Sequence, residues 1–200
     1  MADVLKNLPA SRILPKGRYG SSTGAAGVVA HEVARASATL IAGRGQTAAV
    51  VQAAKSAFGL ELCDLPRRAV SGAMEFIGVG PGRWLVLDDG DGEALVQKLQ
   101  SAFPRASVVD QSGGLVIFDA GGAKLGATLP KFLAIDIDVA AFPVGAVATT
   151  TAGHINLTIW RTGSENWRCA VGRSYAPAFL RMLAVAAAEF GLAYALSDSH

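Results

Sequence analysis

Three patterns in this chain combine residue types and spacings that can do chemistry. Gly43-x-Gly45-x-x-Ala48 follows the apolar run 38–42 and opens a helical pattern, with the acidic Glu61 and Asp64 further on. That is close to the dinucleotide fingerprint, whose glycines let backbone amides approach a pyrophosphate at the positive end of a helix. Gly20-Ser21-Ser22-Thr23-Gly24 matches the G-x-S-x-G form of a nucleophile elbow. His31 beside Glu32, and His154 after Gly153, are candidate bases; His200 is the last residue.

Each pattern needs particular elements around it. A dinucleotide site needs further parallel βαβ units, but the chain after the Gly43 corner reads as hairpins. Neither Glu61 nor Asp64 clearly ends a second parallel strand, where the ribose contact belongs. An elbow needs a strand before it, and here "LPKGRY" precedes it, so the segment reads as a linker. No carboxylate or nucleophile stands near His154 in sequence, and contact with a partner chain is its better reading.

The elements themselves are legible from period and punctuation. "VVAHEV" and "ASATLIA" read as strands, and Val50, Val51, Ala54 and Phe58 fall at helical spacing before Gly59. "SGAMEFIGVG" and "PGRWLVL" are strands, and "DDGDGEALVQKLQSAF" is a helix with capping aspartates. "GGLVIFDA", a short helix ended near Pro130, a loop "AIDIDVAAFPVG", and a hairpin at Ala152-Gly153 follow. "TGSENWRCAV" adds a turn and strand, and Ser174 is a candidate cap for a last helix with the stripe Leu180, Leu183, Ala184, Ala187, ending at Gly191.

The second half repeats the script of the first. "LIAGRGQTAAVV" aligns with "IFDAGGAKLGATL", and "VGPGRWLVL" with "TGSENWRCAV". The expectation is an α+β protein made by internal duplication of two β-α-β-β-α (ferredoxin-like) halves. Residues 1–27 form an extended arm, 28–107 the first half and 108–200 the second, packed as one domain.

Composition narrows the function. Hydrophobic residues make up 51% and charged residues 17% of the 200 residues, with mean hydropathy +0.35. Soluble domains carry about 25% charge, so part of this surface is expected to be covered by another chain. The net charge of +2 is spread out, which gives no electrostatic footprint for nucleic acid. Cys63 and Cys169 are far apart and lack metal-ligand spacing, the pattern of two free thiols. The first twenty residues lack a continuous apolar core and no run reaches membrane-spanning length, so a cytoplasmic protein is expected. Arg161, Arg168, Arg173 and Arg181 crowd around Trp160, Trp167 and Tyr175. Arg and aromatic residues favour interfaces, and Trp160, Arg161, Arg173 and Tyr175 are the candidate contacts.

At residues 135–180 the sequence resembles a known family, the gamma subunit of heterotetrameric sarcosine oxidase. The family also includes the matching subunit of N-methylglutamate dehydrogenase-type complexes. The resemblance rests on Ile135-Asp136-Ile137-Asp138 through Ala141-Phe142-Pro143-Val144-Gly145, "IWRTG" at 159–163 and "VGRSYAPAFL" at 171–180. "FGLELCDLPRRAV", "VGPGRWLVLDDGDGEALVQKL" and Val109-Asp110-Gln111-Ser112 also fit, so it runs from about Phe58 onward.

The resemblance implies a fold similar to the folate-binding domain of aminomethyltransferases. It implies a non-catalytic subunit that binds no cofactor or metal itself and packs on a large alpha subunit, with beta and delta subunits completing the complex. FAD, FMN, NAD, tetrahydrofolate and zinc then belong to those partners. The assembled enzyme would oxidise sarcosine and pass the one-carbon unit to tetrahydrofolate. The rival readings are a stand-alone folate-binding or aminomethyltransferase-like protein, and the nucleotide-binding enzyme suggested by the Gly43 corner.

Overall fold

Alternating and near-continuous apolar runs, punctuated by glycine, become two antiparallel-rich sheets with helices. The computed structural model describes residues 14–196. Residues 1–13 of the expected arm, and His200, lie outside the described residues. Two compact units emerge, one of residues 34–115 with 145–148, the other of the remaining described chain.

The chain enters through β1 (Gly17–Tyr19) and β2 (Val28–Val33). The 34–115 unit then runs β3 (Ala36–Ala42), α1 (Thr47–Phe58), β4 (Arg68–Ser71), β5 (Met74–Gly80), β6 (Arg83–Asp88), α2 (Gly92–Ala102) and β7 (Ala106–Asp110). Its sheet has the order β4-β5-β6-β3-β7, with neighbours antiparallel. Leu40, Phe76, Trp84 and Val86 on the strands meet Val50 and Ala54 of α1 and Leu95 and Leu99 of α2 in one apolar core. Asp91 caps α2 by accepting from Ala94 N–H at 2.8 Å, as its place before an amphipathic run predicts.

The other unit continues with β8 (Leu115–Gly121), α3 (Leu125–Thr128), β9 (Val147–Ala152), β10 (Ile155–Arg161), β11 (Asn166–Gly172), α4 (Ala176–Ala186) and β12 (Leu192–Leu196). Its strands lie in the order β1-β12-β2-β8-β11-β10-β9. Phe118 of β8 packs on Phe179 of α4 at 5.6 Å between ring centres, beside buried Leu157, Ile159, Leu180 and Leu183.

With β1 and β2 left out, both units have the element order β-α-β-β-β-α-β rather than the expected β-α-β-β-α. Their strand orders also match once β2, wedged between β8 and β12, and the edge strand β1 are set aside. The sequence reading divides the chain after residue 107, whereas β7 pairs with β3 and β2 pairs with β8 and β12. The last helix starts at Ala176 after a 3-10 turn, Arg173–Tyr175, with Pro177 in its first turn; Ser174 makes no capping bond. No described helix is long and apolar enough to cross a membrane.

Candidate functional site

The Gly43 corner is a strand-to-helix junction, and two of its amides bond within the chain. Gly43 N–H donates to Arg105 O at 3.0 Å, and Gln46 N–H to Gly43 O at 2.9 Å. Gly45 sits at φ +70 in open space, so glycine is needed there for the left-handed backbone. The acids of the fingerprint are also engaged: Asp64 accepts from Gly82 N–H at 2.6 Å, and Glu61 pairs with Lys55 at 2.6 Å. With β3 flanked by antiparallel β6 and β7, no crevice between parallel strands forms at this point. These residues do not fit a bound dinucleotide.

The Gly20–Gly24 segment is a bend held by Arg18, whose guanidinium donates to Ser21 O at 3.0 Å and Gly24 O at 2.7 Å. Ser21 N–H donates to Ala188 O, and no helix follows, so an elbow is not formed. His154 is exposed at the β9–β10 turn.

His31 lies in a cross-strand row. Its Nε2 stands 3.8 Å from Asp119, whose carboxylate takes a two-pronged contact from Arg168, with Nη2 at 2.7 Å and Nε closer still. A hollow of about 460 Å³ opens beside this row, lined by Val29, His31, Asp119, Gly121, Thr162 and Asn166. At 3.8 Å the imidazole is beyond the hydrogen bond by which a carboxylate orients a catalytic histidine. Among the described residues no group of histidine, cysteine and acidic side chains has the arrangement of a metal site. The two thiols are free, and burial pushes the Cys169 pKa far up, which keeps it unreactive.

The candidate contacts separate into two pairs. Trp160 is fully enclosed in the fold, and Arg161 is 9% exposed. The Arg161 guanidinium donates to the carbonyls of Gly163 (3.1 Å), Phe142 (3.1 Å) and Ser164 (2.5 Å), and lies 5.2 Å over the Trp167 ring. Phe142 stacks on the other aromatic of this node, Trp167, at 5.0 Å. Arg161 therefore pins the "AFPVG" loop to the β10–β11 turn. Arg173 and Tyr175, by contrast, are exposed, Tyr175 by 56%.

The other stretches quoted for the family resemblance are joined in the same way. In "LELCDLPRR", Asp64 holds the Pro81-Gly82 turn and Cys63 O accepts from Trp84 Nε1 at 3.1 Å; Pro81, Gly82 and Trp84 belong to "GPGRW". In "VDQS", Ser112 Oγ accepts from Ser37 N–H at 3.0 Å, while its own N–H donates to Asp110 at 2.9 Å. Those bonds to Ser112 hold the Asp110 carboxyl below its usual pKa. These motifs are long-range clamps between loops and strands.

The fold and these clamps define a mixed α+β protein in which Asp64, Ser112 and Arg161 of the quoted motifs are bonded within the chain. Its fold is shared with glycine cleavage system aminomethyltransferase T from Bartonella henselae, at TM-score 0.58 and 11% identity over 84% of this chain and 48% of that one. A chain of heterotetrameric sarcosine oxidase from Corynebacterium sp. U-96, solved with pyrrole 2-carboxylate, matches at TM-score 0.74 and 25% identity, covering 86% of this chain and 88% of that one. The model of the sarcosine oxidase gamma subunit family matches residues 42–189. The chain belongs to this family.

Curated relatives agree. The sarcosine oxidase subunit gamma of Arthrobacter sp. is 29% identical over 82% of this chain and 80% of its own length. That of Corynebacterium sp. (strain U-96) is 27% identical over 58% of this chain, which spans 57% of that relative's length. The β12 strand and the role of Asp119 were missed by sequence reasoning. Their signals are faint: a short Leu/Ala alternation after Gly191, and one acid inside an apolar strand.

Proposed function

We propose that this chain is a non-catalytic subunit of a flavin-dependent sarcosine oxidase, packing against the large alpha subunit and supporting its assembly. The assembled enzyme oxidises the N-methyl group of sarcosine and delivers the one-carbon unit to tetrahydrofolate. FAD, FMN, NAD, tetrahydrofolate and zinc reside in the partner subunits, and the complex works in the cytoplasm. The observation that carries this reading is the family match over 42–189, whose motif residues act as internal clamps. In support, the Gly43 amide and the Asp64 carboxylate that suggested chemistry are bonded within the chain.

The test is co-expression of this chain with the alpha, beta and delta subunits. Stoichiometric co-purification is expected, with flavin on the partners, and with sarcosine oxidation impaired when this chain is omitted. Tight tetrahydrofolate binding or methylene transfer by the isolated chain would instead establish the aminomethyltransferase-like alternative.

A further inference from the structure

A sheet edge is a row of unpaired backbone donors and acceptors, open to another strand. The two sheets end in the edge strands β1, β9, β4 and β7, and three of these are blunted. β1 spans three residues behind Pro15 and Lys16 and carries Arg18. β4 is covered at its start, where Arg67 bridges to Ala146 and Arg68 N–H donates to Gly145 O at 2.8 Å. β9 is met at both ends, by that bridge at Ala146 and by Leu133 at Ala152. β7 has none of these devices. Its residues, Ala106-Ser107-Val108-Val109-Asp110, include no lysine or proline and pair with β3 without a bulge. Ser107 is exposed and Val109 is 47% exposed.

The bonds at the two ends of this pairing show which groups are left over. Gly43 N–H donates to Arg105 O and Gln111 N–H to Ser37 O, each one step beyond the β3–β7 register. Bonded pairs alternate along an antiparallel ladder, so Arg105, Ser107, Val109 and Gln111 turn their peptide groups toward β3. Ala106, Val108 and Asp110 turn theirs to the open edge. The Ala106 N–H is taken by Phe103 O at 3.0 Å. The Ala106 carbonyl, both Val108 groups and the Asp110 N–H have no partner among the described residues. These groups fit a copy of themselves. In an antiparallel pair centred on Val108, each Val108 N–H meets the other Val108 carbonyl, and each Asp110 N–H meets an Ala106 carbonyl. Only the Asp110 carbonyls stay with water. Ser107 then stands opposite Val109, Asp110 opposite Ala106 and Arg105 opposite Gln111, so no like charges face each other. We infer that β7 pairs antiparallel with β7 of a second copy of this chain, joining the two five-stranded sheets into one. This contact needs no other subunit and goes beyond the reading of the chain as one.

The test uses the full chain. Sedimentation equilibrium of the unmutated protein is expected to show a reversible dimer. Hydrogen exchange at the Val108 and Asp110 amides should slow as concentration rises, while exchange across β4 stays the same. Ser107→Lys with Val109→Lys sets lysine against lysine at both cross-strand positions and should weaken the dimer about tenfold or more. Ser107→Glu with Val109→Glu should do the same, and an equal mixture of the two variants should pair again. Both side chains are exposed, so the melting of each variant as a monomer should change little. If a variant misfolds, the exchange and sedimentation of the unmutated chain still decide. A monomer up to about 0.1 mM, or a dimer that both double variants leave intact, would overturn the inference. Protection of Val108 and Asp110 only in the assembled oxidase would also overturn it, by giving this edge to another subunit.

Discussion

Arg161 shows at the residue scale how a charged side chain becomes structural. Its planar fork reaches the Phe142, Gly163 and Ser164 carbonyls and stacks over Trp167, so no carboxylate is needed to compensate it. Lysine cannot span three carbonyls from one nitrogen in that geometry. Arg161→Lys is therefore expected to destabilise the chain by about 2 kcal/mol or more, read from urea unfolding; a change below about 0.5 kcal/mol would show that the fork holds little. Tyr194 makes the opposite case. It is 3% exposed, and its hydroxyl finds no hydrogen-bond partner among the described residues. Burial first, then the charges of Glu32 and Tyr19, push its pKa from 10.0 up to about 12. The folded chain thus keeps a proton that the unfolded chain releases, so this contribution is complete below pH 10.0 and is lost as pH rises toward about 12. Tyr194→Phe should be neutral, or stabilising by up to about 1 kcal/mol, at neutral pH. It should also flatten the alkaline fall in stability, which melting curves between those pH values would measure. A clear loss at neutral pH would mean that the hydroxyl is bonded in the folded protein.

At the scale of elements, the junction of α2 with β7 is the most constrained. A Cβ added at Gly92 would meet Ser112 Oγ at 2.5 Å and the Asp110 carboxylate at 2.8 and 3.1 Å. Glycine at the first helical position lets the "VDQS" turn close against the helix start, where a carboxylate also suits the helix dipole. Gly→Ala at a compatible site gains about 0.4–1 kcal/mol, so the sign of the effect is diagnostic. Gly92→Ala should cost about 1–3 kcal/mol by overpacking, and a stabilised variant in thermal melts would show that the turn readily gives way. The Gly59 stop of α1, the Asp91 cap of α2 and the apolar stripes of α1, α2 and α4 were legible because they depend on residues within one or two turns. Asp91 before an apolar stripe is such a case. Ser174 misled because Pro177 and the 3-10 turn set the start of α4 two residues later. Strand β10 shows the limit of alternation: Asn156 and Thr158 keep their outward positions, but Ile159, Trp160 and Arg161 are buried in succession. A period-2 pattern assumes one open face, and at that end of the strand both faces are covered.

For the whole molecule, the sequence suggests a repeated β-α-β-β-α script, whereas both units, with β1 and β2 left out, run β-α-β-β-β-α-β with like strand orders. What the script omits is β2, which enters between β8 and β12 and pairs antiparallel with one and parallel with the other. Such pairings join positions more than eighty residues apart, and no local period encodes them. The same separation explains the candidate contacts. Trp160, Arg161, Arg173 and Tyr175 lie within sixteen residues of sequence, yet the fold encloses the first two and exposes the last two. By itself the sequence determined the α+β class, the Gly59 end of α1 and the Asp91 start of α2, and the family, because these follow from neighbouring residues and ordered motifs; the expected Gly191 end of the last helix gave way to an end at Ala186. Only the tertiary structure decided which polar groups remain for other molecules. A hydrogen bond is consumed by whichever partner the chain brings near, and Asp64, Asp119 and Arg161 each met theirs far along the chain or across a strand.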